Sequence, residues 1–513
     1  MKFKKMFFIM TFSYLALQAE NELPEKFVKI MEQPKYKHAT WGIYAIDSVT
    51  GHTYFDLNSD KFFLPASTTK LFSVAALLSA YGDDYRFKTK LFAIGTVANG
   101  ELDGHLVLVA QGDLIFGGRQ MGSDAIEYTK MDHIIANYAP GVILTKGDPL
   151  AAIKILSKQV KESGINKIQG DILIDDRLFE TTTKRGMILS PIMINENLID
   201  LVINPSQVGS FARLEVTPNV MGYGVKNEIK TVDAGSPLQL DVTSDDFGRN
   251  IVITGTIPMD AKDIVRTSAI KDPKHFAKTA LIEALEFEGI KLSTNGNASI
   301  LPNKEDYQKF TPIALYTSPP LSEYAKLILK VSHNLGADLI PLLLSVKANK
   351  RTFEEGLQLL GKFVMDEAKI SKDSFVFLDG AGGDENRLTP KAEIALLEYV
   401  RKQPKEKFQK YYDALPILGI DGSLEDFGKK TNAVNKVRAK PGTGVIFNAA
   451  TGDFFLTTQA YTGYIEGKNG NLIEFMIVVN NASLTKIEDV IPIFEELAEM
   501  TGVIYDLSDG KQP

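Results

Sequence analysis

The sequence predicts a mixed α/β protein whose main domain is interrupted by a β-rich insert. Three observations predict it. An alternating hairpin, residues 41–46 and 53–57, runs into a long apolar helix after Pro65. From about residue 87 to about residue 300 the texture changes to short strands separated by turn signals. After Pro302 helices return, and the chain closes on three consecutive antiparallel strands and a last helix. A length of 513 residues suggests two to four domains.

The first nineteen residues read as a secretory leader. Lys2, Lys4 and Lys5 form a charged start, residues 6–17 an apolar core, and Ala19 a cleavage position. Twelve apolar residues are too few to span a bilayer. The chain has no cysteine. That excludes disulfides, a thiolate nucleophile and a cysteine-ligated metal. A secreted protein of this size must then rest on packed cores, which fits a bacterial periplasm. The net charge of −7, with no block of basic residues, argues against a nucleic-acid partner.

The hairpin delivers the chain to Leu64-Pro65. Leu71, Val74, Ala75 and Leu78 then recur at helical spacing, and Gly82 stands where a helix C-cap wants positive φ. Ser67 and Lys70 lie one turn apart on one face of this helix. A serine at a sheltered helix N-terminus, with an amine kept neutral by burial or a cationic neighbour, is a candidate nucleophile and base. Ser-x-x-Lys occurs four times, at Ser67, Ser268, Ser483 and Ser508. Ser268 precedes a helix start, Ser483 reads as a loop residue, and Ser508 is near the chain end. Only Ser67 begins a long apolar helix.

In the insert, residues 91–94, 105–110, 172–174, 201–204, 214–217, 238–243 and 251–257 read as strands. Asn99-Gly100 and Gly112-Asp113 read as turns. Residues 150–163 read as a helix, and Asp272-Pro273 opens another through residue 288, with Asp at N-cap and Pro at N1.

After the insert, residues 321–344 form a helical stretch broken at Ser332-His333-Asn334-Leu335-Gly336. The break can hold Ser332 and Asn334 toward a cleft, one to relay a proton and one to hold a substrate carbonyl. Residues 353–367 and 389–401 read as helices opened by Thr. Residues 437–439, 454–464 and 475–479 read as strands, broken at the glycine-containing stretches 442–452 and 467–470. Residues 487–500 form the closing helix. Lys440-Pro441-Gly442-Thr443 follows the first of these strands. A lysine there gives a positive field for a carboxylate, and Gly442 lets a substrate backbone approach. Thr443 offers its backbone N–H to an oxyanion, paired with that of Ser67.

The order Ser-x-x-Lys, Ser-x-Asn, Lys-x-Gly resembles the three-motif set of the penicillin-recognising serine enzymes. The resemblance extends to WGIYAIDSVTGHTYFDLNSDKFFLPASTTKLFSVAALL, HLVLVAQGDL, INKIQGDILIDDRLF, IKDPKHFAKTALIEALEFEGIKL, DGAGGDENRLTP and LPILGIDGSLEDF. On these the chain is similar to the D-alanyl-D-alanine carboxypeptidase/endopeptidase family, the class C low-molecular-mass penicillin-binding proteins. The long insert between the first and second motifs is itself a mark of that family.

The resemblance implies a transpeptidase-like (β-lactamase-like) α/β domain, an antiparallel sheet with flanking helices, in two parts, residues 20–87 and 303–513. Two β-rich domains would be nested between them: 88–182, with 284–302 returning to it, and 183–283. It implies that Ser67 attacks the carbonyl between the last two D-alanines of a peptidoglycan stem peptide, with Lys70 as base and Ser332 passing the proton to the leaving D-alanine. Asn334, Lys440, Gly442 and Thr443 would bind substrate, β-lactams would acylate Ser67, and no cofactor or metal is implied. The six histidines look scattered. A β-lactamase and a wall-binding scaffold without activity are the competing readings.

Three departures stand out. Pro441 replaces the threonine of Lys-Thr-Gly, Ala381 replaces a serine in Asp379-Gly-Ala-Gly-Gly383, and the short segment Lys184-Arg185-Gly186 replaces an acidic residue expected near the side-chain pocket.

Overall fold

A computed structural model describes residues 23–293 and 300–509. The expected leader, residues 1–19, lies outside the described residues. No helix among the described residues is long and apolar enough to cross a membrane.

The two ends of the chain build one five-stranded antiparallel sheet. Its order is Thr53–Leu57, Thr40–Asp47, Leu472–Leu484, Asp453–Glu466, Val437–Asn448. The early hairpin joins the late strands through pairs from Thr40 with Asn480 to Asp47 with Ile473. Successive side chains of a strand point to opposite faces. Phe475, Ile477 and Val479 pack on one face against Glu25–Met31 and Val490–Leu507. Met476 and Val478 pack on the other, in the core formed by Thr69–Tyr81, Leu321–Lys330, Asn334–Lys347, Phe353–Asp366 and Pro390–Arg401. Both faces are covered, so this central strand reads as a continuous apolar run.

Helix boundaries follow local chemistry. Thr352 and Glu355 form a capping box. The side chain of Thr389 caps the helix that Pro390 opens, and Asp272 does the same before Pro273. Gly82 ends its helix at φ 83°. The stretch at 321–344 does break in two, between Lys330 and Asn334.

The insert centres on the hairpin Lys88–Ala98 and Glu101–Val109, turned by Asn99 and Gly100, both at positive φ. Lys167–Gln169 and Ile172–Asp175 add in parallel to its second strand, and Ala314–Thr317, from beyond residue 302, closes its other edge. Ala151–Glu162 and Pro273–Phe287 share its core. Two three-stranded sheets, one from Leu198–Asn204, Arg213–Thr217 and Ile264–Ala269, complete it.

Three expectations need correction, and one helix was not expected. Ser67 lies in a 3-10 turn, Ala66–Thr68, and the α-helix starts at Thr69. Lys440 to Thr443 lie inside the strand Val437–Asn448, which pairs as far as Asn448 with Asp453, so the break there is only residues 449–452. Ser483 is a strand residue paired with Phe455. The helix Lys405–Asp413 is announced only by Phe408, Tyr411 and Tyr412 among polar residues.

Candidate active site

The turn that carries Ser67 is pinned from both sides. Phe63 pairs with Leu388, and the carbonyl of Leu64 accepts from the Thr458 hydroxyl at 2.7 Å. Ala66 sits at φ 44°, a region costly for a residue with a Cβ. Two glycine backbones flank the turn. A Cβ on Gly382 would lie 1.7 Å from the Ala66 carbonyl, and one on Gly442 would lie 2.3 Å from the Pro65 carbonyl. The sequence reading gave the open space at Gly442 to substrate. The structure fills it with the Ser67 turn itself.

Ser67 is half-buried and Lys70 wholly buried. Lys70 Nζ lies 2.8 Å from Ser67 Oγ, 2.8 Å from Asn334 Oδ1 and 2.6 Å from the Ala381 carbonyl. The last two groups can only accept. A neutral amine has two N–H bonds for them, which leaves its lone pair facing the Ser67 hydroxyl. Burial brings Lys70 down to about 7, and the Arg185 charge adds to this, against Asp338 and Asp379. Ala381 therefore contributes its carbonyl, which a serine-to-alanine change leaves in place.

Ser332 sits at φ 60° in the helix break, and its Oγ lies 2.9 Å from Lys440 Nζ. Lys440 also donates to the Pro441 carbonyl at 2.7 Å. It is wholly buried, and no carboxylate pairs with it among the described residues. Burial drives it well below its ordinary value, and the charge on Lys70 adds to that. Thr443 is exposed next to them, its hydroxyl donating to Gln459 Oε1 at 2.9 Å. Pro441 costs the sheet nothing on its outer side, because Val437–Asn448 is the edge strand. The structure thus brings Ser67, Lys70, Ser332, Asn334, Lys440, Gly442 and Thr443 together.

Several groups here escaped the sequence reading. Asp338 follows Asn334 by one helical turn, and Asp379 opens the loop that presents Ala381. Asp379 Oδ1 accepts from the N–H groups of Ala381, Gly382 and Gly383 at 3.0, 2.7 and 3.1 Å. Arg185, at the tip of the hairpin Thr182–Lys184 and Met187–Leu189, pairs with both Asp338 and Asp379. Its charge is therefore engaged, and Lys184 Nζ lies 3.9 Å from the centre of the Phe353 ring.

Behind the Ser332 loop lies a buried ionic network. Glu196 Oε2 accepts from His333 Nε2 at 3.0 Å and contacts His133 Nε2 at 2.7 Å. His333 Nδ1 accepts from the Gly336 N–H, so its proton is on Nε2. Asp132 and Glu196 also pair with Arg119. Burial alone would lower His133, but Asp200 and Glu196 outweigh it and hold the imidazole well above its usual range. Burial would raise Glu196, but Arg119, His333 and His133 hold it well below. Asp132, His133 and Glu196 each offer one ligand atom within 4.8 Å of the others, a spacing that suits a cation. Arg119 and the His133 imidazolium supply that positive charge. Two of the six histidines therefore converge on one carboxylate, contrary to the scattered distribution read from the sequence.

Comparison with known proteins agrees with this architecture. The chain is 26% identical over 454 residues to D-alanyl-D-alanine carboxypeptidase DacB of Haemophilus influenzae, covering 84% of each chain. It is 25% identical over 516 residues to the D-alanyl-D-alanine carboxypeptidase of Actinomadura sp. strain R39, covering 94% of this chain and 85% of that one. The fold matches the crystal structure of penicillin binding protein 4 (dacB) from Haemophilus influenzae at a TM-score of 0.71 and 20% identity, over 93% of this chain and 99% of that one. The model of the D-Ala-D-Ala carboxypeptidase 3 (S13) family matches residues 23–498, which takes in both parts of the five-stranded sheet and everything between them; the chain belongs to that family.

Proposed function

We propose that this protein is a serine-type D-Ala-D-Ala carboxypeptidase and DD-endopeptidase that cleaves peptidoglycan stem peptides or cross-links through an acyl-enzyme on Ser67. One observation carries the assignment: Lys70 has acceptors for two N–H bonds and turns its third position to the Ser67 hydroxyl.

Neutral Lys70 takes the Ser67 proton as Oγ attacks the carbonyl carbon of the penultimate D-alanine. The N–H groups of Ser67 and Thr443 receive the oxyanion. Ser332, hydrogen-bonded to Lys440, passes a proton to the departing nitrogen as the C–N bond breaks and takes one in return, relayed from the Lys70 ammonium, which becomes the neutral amine again. Water then adds to the acyl-enzyme, gives its proton back through Lys70, and releases Ser67. The terminal carboxylate of the substrate meets Lys440, and that anion favours the protonated form which burial disfavours in the empty site. Asn334 orients the substrate carbonyl and Lys70 together, and Gly442 keeps the edge strand against the nucleophile turn.

A β-lactam acylates Ser67 by the same attack, and its ring nitrogen stays tethered. The expected leader, residues 1–19, and the wall substrate support a periplasmic location for the mature protein. Intact-mass measurement with penicillin tests the assignment. Wild type should gain one penicillin mass and Ser67→Ala none. An unmodified wild type would leave the wall-binding scaffold as the better reading. Incubation with monomeric and cross-linked peptidoglycan fragments then sorts the two hydrolytic activities.

A further inference from the structure

The groups that cage Lys70 come from three places in the chain, and one side chain of the insert ties them together. Asn334 and Asp338 stand one turn apart on the helix Asn334–Lys347. Ala381 belongs to the loop that Asp379 folds by accepting from three consecutive N–H groups. Asp338 Oδ1 also accepts from the Gly380 N–H at 3.1 Å, so helix and loop already touch. Two carboxylates then meet beside the amine, Asp338 wholly buried and Asp379 nearly so. Arg185 reaches both from the hairpin tip, with its guanidinium forked between them.

We infer that Arg185 is a positioning residue for Lys70: by bridging Asp338 and Asp379 it fixes the helix and the loop whose acceptors orient the amine, and it offsets their charge so that the amine can shed its proton. The inference rests on the reading of Lys70 as the general base. It gives the insert a part in the reaction, since the residue that sets the base lies outside both parts of the five-stranded-sheet domain.

The charge count makes the inference testable. Four charged groups face Lys70: Arg185 from the hairpin, Asp338 from the helix, Asp379 from the loop, and Lys440 from the edge strand when it is protonated. Its other partners, Ser67, Asn334 and the Ala381 carbonyl, are neutral. Burial raises Asp338 to about 6, against the pull of Arg185; above that pH Arg185, Asp338 and Asp379 together sum to one negative charge. Arg185→Gln makes that two, which holds the proton on Lys70 more tightly. Arg185→Gln with Asp338→Asn restores one, and Arg185→Lys never changes it. The direction agrees with the depression of Lys70 by Arg185 in the intact site.

The experiment is the rate of acylation by a fluorescent penicillin from pH 5 to 9, on wild type and these three variants, each checked by thermal melting. Acylation should rise with pH as Lys70 loses its proton. In Arg185→Gln that rise should move up by about one unit, a loss of about tenfold on the acid side. The double variant and Arg185→Lys should return it toward wild type. A uniform loss at every pH, with the midpoint unmoved, would overturn the inference while leaving Lys70 as base. A flat wild-type profile would instead overturn the general-base reading. If Arg185→Gln fails to fold, the decision falls to the double variant against Asp338→Asn alone, which differ in the same single charge; equal midpoints in those two would overturn the inference.

Discussion

Glu196 accepts a hydrogen bond from His333 at 3.0 Å, across 137 residues of chain. His333 separates Ser332 from Asn334, so a carboxylate of the insert holds the residue between two members of the proposed catalytic cluster. His333 also caps the helix that Asn334 begins, through its other nitrogen. Loop position and helix start are thus fixed by one ring and one acid.

Glu196→Ala should accordingly damage stability and acylation together. It leaves Arg119 and the His133 imidazolium buried without one of their partners, a loss of about 3–5 kcal/mol for a broken buried pair. The pH dependence has a definite sign. Glu196 is depressed in the folded protein, so its contribution is present above about pH 4.3 and lost as pH falls through the folded value. His133 is raised, so its contribution is present below about pH 6.5 and lost as pH rises through its folded value. Thermal midpoints against pH should show both limbs in wild type; Glu196→Gln should lose the acid limb and keep a smaller His133 limb, which Asp200 sustains. Unchanged melting and acylation in Glu196→Ala would show that the network is idle.

Gly442→Ala should disable acylation by displacement. The new methyl would stand 2.3 Å from the Pro65 carbonyl, which is backbone and cannot swing away. Either the edge strand or the Ser67 turn must move, and a shift near 1 Å costs on the order of 100-fold. Gly444→Ala is the control. Its methyl meets the Thr457 hydroxyl at 2.3 Å, a side-chain atom that can rotate. Penicillin labelling of the two variants at equal concentration should therefore differ by at least about tenfold; similar labelling would show that the strand has slack.

Thr443 is predicted to take over the contact that Pro441 cannot make. Its hydroxyl now spends its proton on Gln459 Oε1, while Gln459 Nε2 is buried with no partner among the described residues. A half-turn of that amide lets Nε2 donate to Thr443 and frees the threonine proton for the substrate carboxylate. A hydrogen bond to a charged group contributes about 1.5–3 kcal/mol. Thr443→Val should then slow acylation by roughly 10- to 100-fold, since each 1.4 kcal/mol is about tenfold. Thr443→Ser should stay near wild type. An unchanged Thr443→Val rate would refute the compensation.

The pattern of what could be read in advance follows sequence distance. Ser67 and Lys70 are one turn apart on an apolar helix, so their relation is local. Ser332 and Asn334 announce themselves as an interruption of another. Arg185 finds its partners 153 and 194 residues away, and no local rule reaches that far. One trace was present: Asp338 is a lone acid within Leu335-Gly-Ala-Asp-Leu-Ile-Pro-Leu-Leu-Leu344, and a buried carboxylate needs a partner. The three late strands were recognisable but under-measured. Gly442 and Gly444 read as breaks, yet pairing with Asp453–Glu466 carries the strand through both. Lys405–Asp413 buries only Tyr411 and Tyr412, too little apolar spacing to mark a helix.

Glu393 supplies a prediction that separates stability from catalysis. It lies wholly buried behind the Ser67 turn, with Oε1 at 2.5 Å from the Thr68 hydroxyl. That hydroxyl has one proton, and the Pro65 carbonyl at 3.1 Å can only accept it. Both contacts are hydrogen bonds at once only when Glu393 is the neutral acid and donates to Thr68. Burial pushes its carboxyl up to about 8, which agrees. In the unfolded chain the same group ionises near 4.3. Between those values the folded state holds a proton that the unfolded state has released, so stability falls as pH rises, by about 1.4 kcal/mol per unit from this group alone. Above about 8 both states are ionised and the loss stops growing. Glu393→Gln keeps a neutral donor to Thr68 and removes the titration. Its thermal midpoint should drop less than that of wild type between pH 5 and pH 8, while penicillin labelling of Ser67 continues. Parallel midpoint curves for the two proteins would show that Glu393 is ionised in the fold and accepts the Thr68 proton.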